Sequence, residues 1–291
     1  MRHLVRYGAD ASFTDGSPGF AEWSVVDEQT PGAVHTGFTV AQLQPGAEIP
    51  ARVHSFEECD FGISGEVVLQ TPEGATLIRP GDYGLIPVGV PHSWRNESAE
   101  PARWARMLAP QPRATHDGDR LGVPPLRRDT PAPVNPRDPR IRRYGHIEPA
   151  NMLAENQSQQ NLAVSASMRT ALLVYSGITV KMMVDTDLGA QLTTMFMVRY
   201  APDGVAGPHD HPFEETYMFL EGRAEGVFDG KRYELGPGDV AWAGVGCVHS
   251  FRNLGSGELR WLETQAPQPP ARHSYRFARD WDYLRGELEN G

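Results

Sequence analysis

Three histidines and a glutamate are the residues of this chain best suited to carry chemistry. His209, His211 and Glu215 lie close together in the sequence, and His249 follows about forty residues later. If residues 209–215 form one β-strand, alternation with period two puts His209, His211, Phe213 and Glu215 on the same face. Three imidazole nitrogens and one carboxylate oxygen suit Mn, Fe, Ni, Co or Zn, and they leave coordination positions for water or substrate. The spacing therefore predicts a mononuclear metal centre that could act as a reaction centre.

A wider pattern of glycines surrounds these four residues. Gly204 precedes the histidine pair, and Gly222 follows Glu215 after six intervening residues. The second half of the pattern consists of Gly238, Asp239, Gly244, Gly246, His249 and Asn253. Together the two halves resemble the paired signature motifs of the cupin superfamily. The chain departs from those motifs by one residue fewer before the first histidine, and by Gly244 at a position where the family usually has proline.

This resemblance implies both a fold and a cofactor. The fold would be all-β, with small double-stranded β-helix (jelly-roll) barrels. The cofactor would be one divalent transition metal, Fe, Mn, Ni or Zn, in the C-terminal part of the chain. The four positions that match the family's ligands are His209, His211, Glu215 and His249.

The same pattern of residues occurs twice. His54, Glu58, Gly65, Asp82, His92 and Asn96 recur, each 157 residues later, as His211, Glu215, Gly222, Asp239, His249 and Asn253. A constant offset at every pair indicates a tandem duplication, as in the two-domain cupins called bicupins. The resemblance covers about residues 35–110 and 185–265. We therefore predict an N-terminal barrel over 1–115, a Pro-rich linker over 116–165 and a C-terminal barrel over 166–291.

The N-terminal copy differs at one ligand position, where Arg52 stands in place of the first histidine. Arginine stays protonated and cannot bind a metal. The pattern therefore predicts a metal-free site in which Arg52 pairs with Glu58. Two alternatives stay open: Arg52 could anchor an anionic ligand, or His54, Glu58 and His92 could form a weak metal site if Arg52 turns away.

Composition excludes several classes of function. The 291 residues carry a net charge of −10, which disfavours nucleic acid and anionic membrane surfaces as partners. The basic run from Arg137 to Arg143 lies in a Pro-rich segment and is interpreted as a solvated linker. No stretch has the length of a signal peptide core or of a membrane span. Cys59 and Cys247 do not form a disulfide framework, so a cytoplasmic location is expected.

Short alternating runs predict most of the strands. Strands are expected near Ala21–Val26, Gly37–Leu43, Ile178–Val184 and Leu192–Tyr200, where apolar residues alternate with polar ones. Abundant Gly and Pro favour turns between them. Phe277–Leu288 has apolar residues at helical spacing, which predicts a short C-terminal helix.

Residues on the predicted ligand face could act on a substrate. Glu215 could serve as a base as well as a ligand, and Tyr217 is the best additional candidate for acid–base chemistry. Phe213 and Phe251 would give the site apolar walls suited to a small, partly apolar substrate. Arg199, on the preceding strand, could bind a substrate carboxylate or lie on the surface.

Three functions are compatible with this site. The first is a metal-dependent enzyme for a small oxygenated or carboxylate-bearing molecule. A dioxygenase is ranked first within this class, because an iron site of three histidines and one glutamate can hold an enolate or catecholate while oxygen attacks. Gentisate and quercetin dioxygenases resemble this architecture. The second is a redox-neutral hydrolase, isomerase or decarboxylase, since one lost and one intact site is similar to the pattern of ureidoglycine aminohydrolase. The third is a non-catalytic binding protein. A monomer or a homodimer is expected in each case.

Overall fold

The computed structural model describes residues 2–114, 117–135, 143–156, 170–173, 177–268 and 276–277. Over these residues the regular structure consists of β-strands and four 3-10 helices. The 3-10 helices span Gly8–Asp10, Asp117–Asp119, Pro149–Met152 and Ala154–Asn156. No helix in these ranges is long and apolar enough to cross a membrane. The prediction of an all-β fold is confirmed.

Fourteen strands precede the second copy of the motif pattern. They are β1 (His3–Arg6), β2 (Thr14–Asp15), β3 (Phe20–Val26), β4 (Gly37–Leu43), β5 (Glu48–His54), β6 (Glu57–Ser64), β7 (Val67–Thr71), β8 (Gly74–Ile78), β9 (Asp82–Ile86), β10 (His92–Arg95), β11 (Ala102–Ala109), β12 (Arg120–Gly122), β13 (Ala132–Pro133) and β14 (Tyr144–His146). They form two sheets of the first barrel, in the orders β14-β9-β6-β11-β4-β3-β2 and β12-β5-β10-β7-β8-β13, which leave out β1.

The remaining strands build the second barrel. They are β15 (Thr170–Leu173), β16 (Ile178–Val184), β17 (Thr194–Tyr200), β18 (Val205–Asp210), β19 (Glu214–Glu221), β20 (Ala224–Phe228), β21 (Lys231–Leu235), β22 (Val240–Ala243), β23 (His249–Asn253), β24 (Leu259–Ala266) and β25 (Arg276–Phe277). Their sheets run β1-β22-β19-β24-β17-β16-β15 and β21-β20-β23-β18-β25. The N-terminal strand β1 therefore belongs to the second barrel, which differs from the predicted division at residue 115.

The duplication is visible strand by strand. Moving β4, β6, β7, β8 and β11 by 157 residues reproduces the bounds of β17, β19, β20, β21 and β24. The turns at Gly81 and Gly238 are also equivalent, with φ of 85° and 88°. Glycine adopts this left-handed conformation without the steric cost that a side chain would add. The two barrels are thus two copies of one topology.

The Pro-rich segment lies against the first barrel in its described parts. Strand β12 pairs with β5, β13 pairs with β8, and β14 pairs with β9. Met152, which ends one of the 3-10 helices, is buried in the apolar core. Of the predicted helix Phe277–Leu288, Phe277 belongs to β25, which pairs with β18, and the remainder lies outside the described residues.

An apolar layer joins the two barrels. Met107 and Cys59 from the first barrel share one buried cluster with Met195, Met197 and other residues of the second. On β17 the intervening residues Phe196 and Val198 face the interior of the second barrel. Both faces of this strand are therefore buried, which explains its nearly continuous apolar sequence.

Two equivalent glutamates reinforce the contact between the barrels. Glu214 accepts hydrogen bonds from the backbone N–H groups of Val34, His35 and Thr36, at 2.8, 3.0 and 3.0 Å, and from the Thr36 hydroxyl at 2.8 Å. Its counterpart in the first barrel, Glu57, accepts from the N–H groups at 191 and 192, at 2.7 and 2.9 Å. Each barrel thus holds a loop of the other through a buried carboxylate.

Changing Glu214 to glutamine should destabilise the protein by about 2 kcal/mol, because charge-assisted hydrogen bonds are lost. In addition, an amide NH₂ group would replace one of the accepting oxygens and would face the N–H groups that now donate to it. Denaturant unfolding of Glu214→Gln would measure the change, and Glu57→Gln should behave alike. The exposed Glu221, which binds Arg260 at the surface, provides the control. If Glu214→Gln and Glu221→Gln have the same free energy of unfolding, the proposed role of Glu214 is wrong.

Candidate metal centre

The histidines and the glutamate come from three different chain segments. His209 lies near the end of β18, and Glu215 lies near the start of β19, in the other sheet of the barrel. His211 lies in the connection between them, and His249 begins β23. The expectation of one continuous strand over residues 209–215 is therefore wrong. The chain turns a corner at His211, and the ligands approach from both sheets.

Backbone carbonyl groups fix the orientation of all three imidazole rings. The Nδ1 atoms of His209, His211 and His249 lie 2.8, 2.9 and 3.0 Å from the carbonyl oxygens of Gly207, Phe213 and Cys247. A carbonyl oxygen only accepts, so each Nδ1 carries the proton and donates it. In each neutral ring Nε2 then presents a lone pair. This is the arrangement that metal-binding histidines use to set the tautomer and direction of the ring.

The distances between the groups fit one metal ion. Ligand nitrogens of His209, His211 and His249 lie within 4.8 Å of one another. Glu215 Oε2 lies 2.6 Å from His211 Nε2 and 3.5 Å from His249 Nε2. Ligands bound at about 2.1 Å to one ion are separated by roughly 3 Å. The spacing of these four side chains therefore fits one divalent metal, and their role as its ligands stays a prediction.

The lowered pKa of His209 keeps its ring in the neutral form that a metal can bind. Burial, followed by the charge of His249, lowers the pKa of His209 to about 3. A metal binds the neutral imidazole, so no proton has to be removed from this ring at neutral pH. All three histidines and Glu215 are buried, which shields the centre from bulk water.

Tyr217 and Gln265 contact the carboxylate of Glu215. The Tyr217 hydroxyl donates to Glu215 Oε2 and lies 2.8 Å from His249 Nε2. The Gln265 amide donates to Glu215 Oε1, the other oxygen. Nearby Glu263 accepts from the Trp261 indole at 2.9 Å, and burial, with the charge of Glu215 added, raises its pKa. The Tyr217 hydroxyl thus lies beside two of the four candidate ligands, and its role in acid–base chemistry stays a prediction.

The predicted aromatic neighbours take different positions. Phe213 stacks on His211 with ring centroids 4.0 Å apart and planes 3° from parallel. Phe251 lies 5.9 Å from the His249 ring and 4.8 Å from Tyr217, within the apolar core of the barrel. Both rings lie next to residues of the candidate centre, and Phe213 also stacks on one of its candidate ligands.

Arg199 does not reach the candidate centre. It lies on β17, on the same face as Met195 and Met197, and this face points away from the barrel interior. Its guanidinium pairs with Glu258 at 2.5 Å. The expectation that Arg199 binds substrate is not supported, because the strand turns this side chain to the opposite face of the sheet.

The equivalent place in the first barrel is built differently. Arg52 pairs across the sheet with His92, as His209 pairs with His249, so it occupies the position of the missing histidine. His54, Glu58 and His92 still converge, with ligand atoms within 4.8 Å of one another. The His92 Nδ1 lies 3.0 Å from the Val90 carbonyl, as in the second barrel.

The predicted ion pair between Arg52 and Glu58 is wrong. Arg106 donates to both carboxylate oxygens of Glu58, with Nε 2.9 Å from Oε1 and Nη2 2.7 Å from Oε2. Arg106 also binds Glu22 at 2.8 Å. His54 Nδ1 lies 3.1 Å from Glu58 Oε2. Glu58 is therefore occupied by a guanidinium from β11, and Arg52 does not bind it.

Arg106 and Gln265 are the site residues that the sequence motifs miss. They bind their glutamates from 48 and 50 residues away in the chain, outside both motifs. One signal could have revealed them: β11 and β24 are apolar strands interrupted by Arg106, Glu263 and Gln265. Buried polar residues on such strands need a partner in the interior.

The fold and the site together define a two-barrel protein with a candidate mononuclear metal centre in its second barrel. Residues 39–108 and 196–264 each match the family model described as the cupin domain. The chain is a two-domain member of the cupin superfamily. No curated protein matches it in sequence.

Solved structures of similar fold include two kinds of enzyme. An oxalate decarboxylase of Lactobacillus farciminis, in complex with formate, is 17% identical with a TM-score of 0.65 over 97% of this chain and 90% of that one. The Bacillus subtilis oxalate decarboxylase is 15% identical, with a TM-score of 0.64 over 99% and 83%. A variant of salicylate 1,2-dioxygenase from Pseudoaminobacter salicylatoxidans is 15% identical, with a TM-score of 0.66 over 84% and 76%. These similarities establish the two-barrel fold.

Proposed function

We propose that this protein is a mononuclear metal-dependent enzyme that acts on a small oxygenated or carboxylate-bearing organic molecule in its second barrel, as a dioxygenase. The observation that supports this most strongly is the convergence of three oriented Nε2 atoms beside the Glu215 carboxylate. Three histidines and one glutamate leave coordination positions for a substrate on a five- or six-coordinate metal. A purely structural zinc site would have no such open position.

The residues of the barrel would divide the remaining tasks. A bound metal would supply Lewis acidity and hold the oxygens of the substrate. The Tyr217 hydroxyl, which contacts Glu215 and His249, would position or donate a proton at the substrate. Gln265 would keep the Glu215 carboxylate in place. Phe213 and Phe251 would exclude water and pack against apolar parts of the substrate.

A redox-neutral reaction is the second candidate, because the oxalate decarboxylases named above cover nearly the whole of this chain. The same four ligands could then hold a Mn or Zn ion that acts as a Lewis acid. The two candidates differ in one measurable respect. A dioxygenase consumes oxygen as substrate disappears, whereas a redox-neutral decarboxylase releases carbon dioxide without it.

The test is to load the purified protein with Fe, Mn or Zn and offer hydroxylated aromatic acids and oxalate. We expect the Fe form to consume oxygen in step with the loss of one hydroxylated aromatic acid, followed with an oxygen electrode. Release of carbon dioxide without oxygen uptake would overturn the dioxygenase in favour of the second candidate. No turnover with any loaded form would favour a binding protein.

Whichever substrate is found, Tyr217→Phe should lower kcat by roughly 10²-fold, because a positioned proton donor contributes about this much. Metal content should stay the same, since the phenol is not among the predicted ligands. Tyr200→Phe is the matched control, because Tyr200 belongs to the same aromatic cluster but lies against Trp261. If both variants keep the wild-type kcat, Tyr217 has no catalytic role.

A further inference from the structure

The interior of the first barrel contains a guanidinium edge that nothing in the described chain satisfies. The Nε and Nη2 atoms of Arg52 are buried and make no hydrogen bond to any described residue. Burial, followed by the charge of Arg106, lowers the pKa of Arg52 to about 10, so the side chain remains charged at neutral pH. A buried charge without a partner is costly. No described residue therefore satisfies this edge of Arg52, which is suited to bind a negative group.

The neighbouring acids do not serve as that group. Both oxygens of Glu58 accept from Arg106, which also donates to Glu22. Neither oxygen of Asp60 has a hydrogen-bond partner among the described residues. Burial, followed by the charge of Glu58, raises the pKa of Asp60 well above its ordinary value, which favours its uncharged form. Among the described residues, no acid therefore forms a hydrogen bond with the buried edge of Arg52.

The geometry of the unpaired atoms indicates the kind of anion. Nε and Nη2 form one edge of the guanidinium plane, and this edge matches the two oxygens of a carboxylate in a bidentate pair. Glu58 shows the same geometry on Arg106, with Nε and Nη2 at 2.9 and 2.7 Å from its oxygens. A planar carboxylate is therefore a better match to Arg52 than a monatomic ion.

Two histidines add a second point of recognition. The rings of His54 and His92 lie 4.4 Å apart, edge to face. His92 Nδ1 faces the Val90 carbonyl and must donate, so His92 Nε2 is an acceptor, and it is buried without a partner among the described residues. A hydroxyl group can donate to this nitrogen, whereas a second carboxylate cannot.

We propose that the first barrel is a metal-free binding site for a small hydroxycarboxylate, with Arg52 holding the carboxylate and His92 Nε2 accepting from the hydroxyl. This site is separate from the candidate metal centre and stands independently of the reaction proposed there. The carboxyl group of Asp60 and the Nε2 atom of His54, both buried without a hydrogen bond to a described residue, would complete its polar lining. The duplication would then have produced one barrel for a metal and one for an anion.

The test uses full-length protein and glycolate as the probe, measured by isothermal titration calorimetry. His211→Ala provides the background, because it removes the candidate metal centre as a competing site for carboxylates. We expect His211→Ala to bind glycolate as the wild type does in its first barrel, and the added change Arg52→Met to weaken binding roughly tenfold or more. Acetate, which lacks the hydroxyl, and sulfate, which is not planar, should bind more weakly than glycolate.

Several results would overturn the proposal. These are absence of glycolate binding in the His211→Ala protein, unchanged binding after Arg52→Met, or sulfate binding tighter than glycolate. A metal equivalent that persists in the His211→Ala protein and is lost on adding His54→Ala would overturn it too, because it would place a cation beside Arg52.

A second variant guards against misfolding. Arg52→Met removes an unmatched buried charge, so its melting temperature without glycolate should equal or exceed that of the parent, while its rise on adding glycolate should disappear. If Arg52→Met does not fold, Arg52→Lys decides: it keeps the charge but loses the two-donor edge. Wild-type affinity for glycolate in Arg52→Lys would refute the bidentate carboxylate, and clearly weaker affinity would support it.

Discussion

Changing His211 to alanine is expected to lower the metal content from about one equivalent per chain to less than about a tenth of that. His211 lies at the corner between β18 and β19, and its Nε2 lies 2.6 Å from Glu215 Oε2. Removing the ring takes away one of four ligands and the contact that positions another. Plasma mass spectrometry on protein reconstituted and then freed of excess metal would measure the change, and the identity of the metal bound by the wild type would rank oxygen chemistry against Lewis-acid chemistry.

The duplication provides a matched control at His54, which holds the place of His211 in the first barrel. His54→Ala should leave the metal content unchanged, because Arg106 occupies Glu58 and Arg52 replaces the remaining histidine. A wild-type protein with two equivalents would show that His54, Glu58 and His92 bind metal despite the two arginines. Loss of metal in both variants would indicate that His211 acts through the fold instead of as a ligand.

The repeat is the part of this protein that sequence predicts best. A single offset of 157 residues, found from six motif positions, also reproduces the bounds of strands that carry no motif residue, such as β8 and β21. This works because the duplicated copies kept the same spacing between turns. The predicted ligands converge for the same reason, since glycine turns and paired strands fix where each histidine lies.

The corner at His211 was not predictable from alternation. Residues 209–215 read as one alternating strand, yet β18 ends at Asp210 and β19 starts at Glu214 in the other sheet. Period two describes the direction of side chains within a strand and carries no information about where the chain leaves the sheet. The candidate ligands still converge, as they would on one strand. Phe213, however, stacks on His211 instead of lying beside it along a strand.

Long-range partners were the second failure. Arg52 and Glu58 are close in sequence, and parity suggested that they pair. Arg106, on strand β11, binds Glu58 instead. Strand β11 pairs directly with β6, which carries Glu58, and so brings the two side chains next to each other. The pairing of β1 with β22 was missed for the same reason. Contacts between distant segments depend on sheet order, which the local pattern does not specify.

Breaking the pair between Arg106 and Glu58 should have the largest effect on stability. Arg106→Leu leaves the buried carboxylate of Glu58 without either guanidinium bond and also removes the bond to Glu22. Removing one partner of a buried ion pair typically costs about 3–5 kcal/mol. Urea unfolding at neutral pH would measure this loss. Arg103→Leu, an exposed arginine on the same strand that binds Gln42, should change the free energy of unfolding by less than about 1 kcal/mol.

The loss should depend on pH in a defined direction. Burial opposes ionisation of Glu58, but the charge and hydrogen bonds of Arg106, together with His54, hold its pKa well below the ordinary value of 4.5. A carboxyl group with a lowered pKa contributes stability above its unfolded-state value, and this contribution disappears as the pH falls through the folded-state value. Without Arg106, burial should raise the pKa of Glu58. The deficit of Arg106→Leu should therefore be greatest at neutral pH. It should begin to shrink as the pH falls through the raised pKa of Glu58 in the variant, and shrink further below about pH 4.5 as the wild type loses its own contribution.

A double variant separates charge from packing. In Arg106→Leu with Glu58→Gln, the unpaired charge is gone, so most of the lost stability should return, since well-packed neutral groups often replace a buried ion pair at little cost. Glu58→Gln alone should be destabilised, because it leaves Arg106 with only Glu22. If the double variant is as unstable as the sum of the two single variants, the residues do not act as a pair, and Arg106 stabilises β11 through its packing alone.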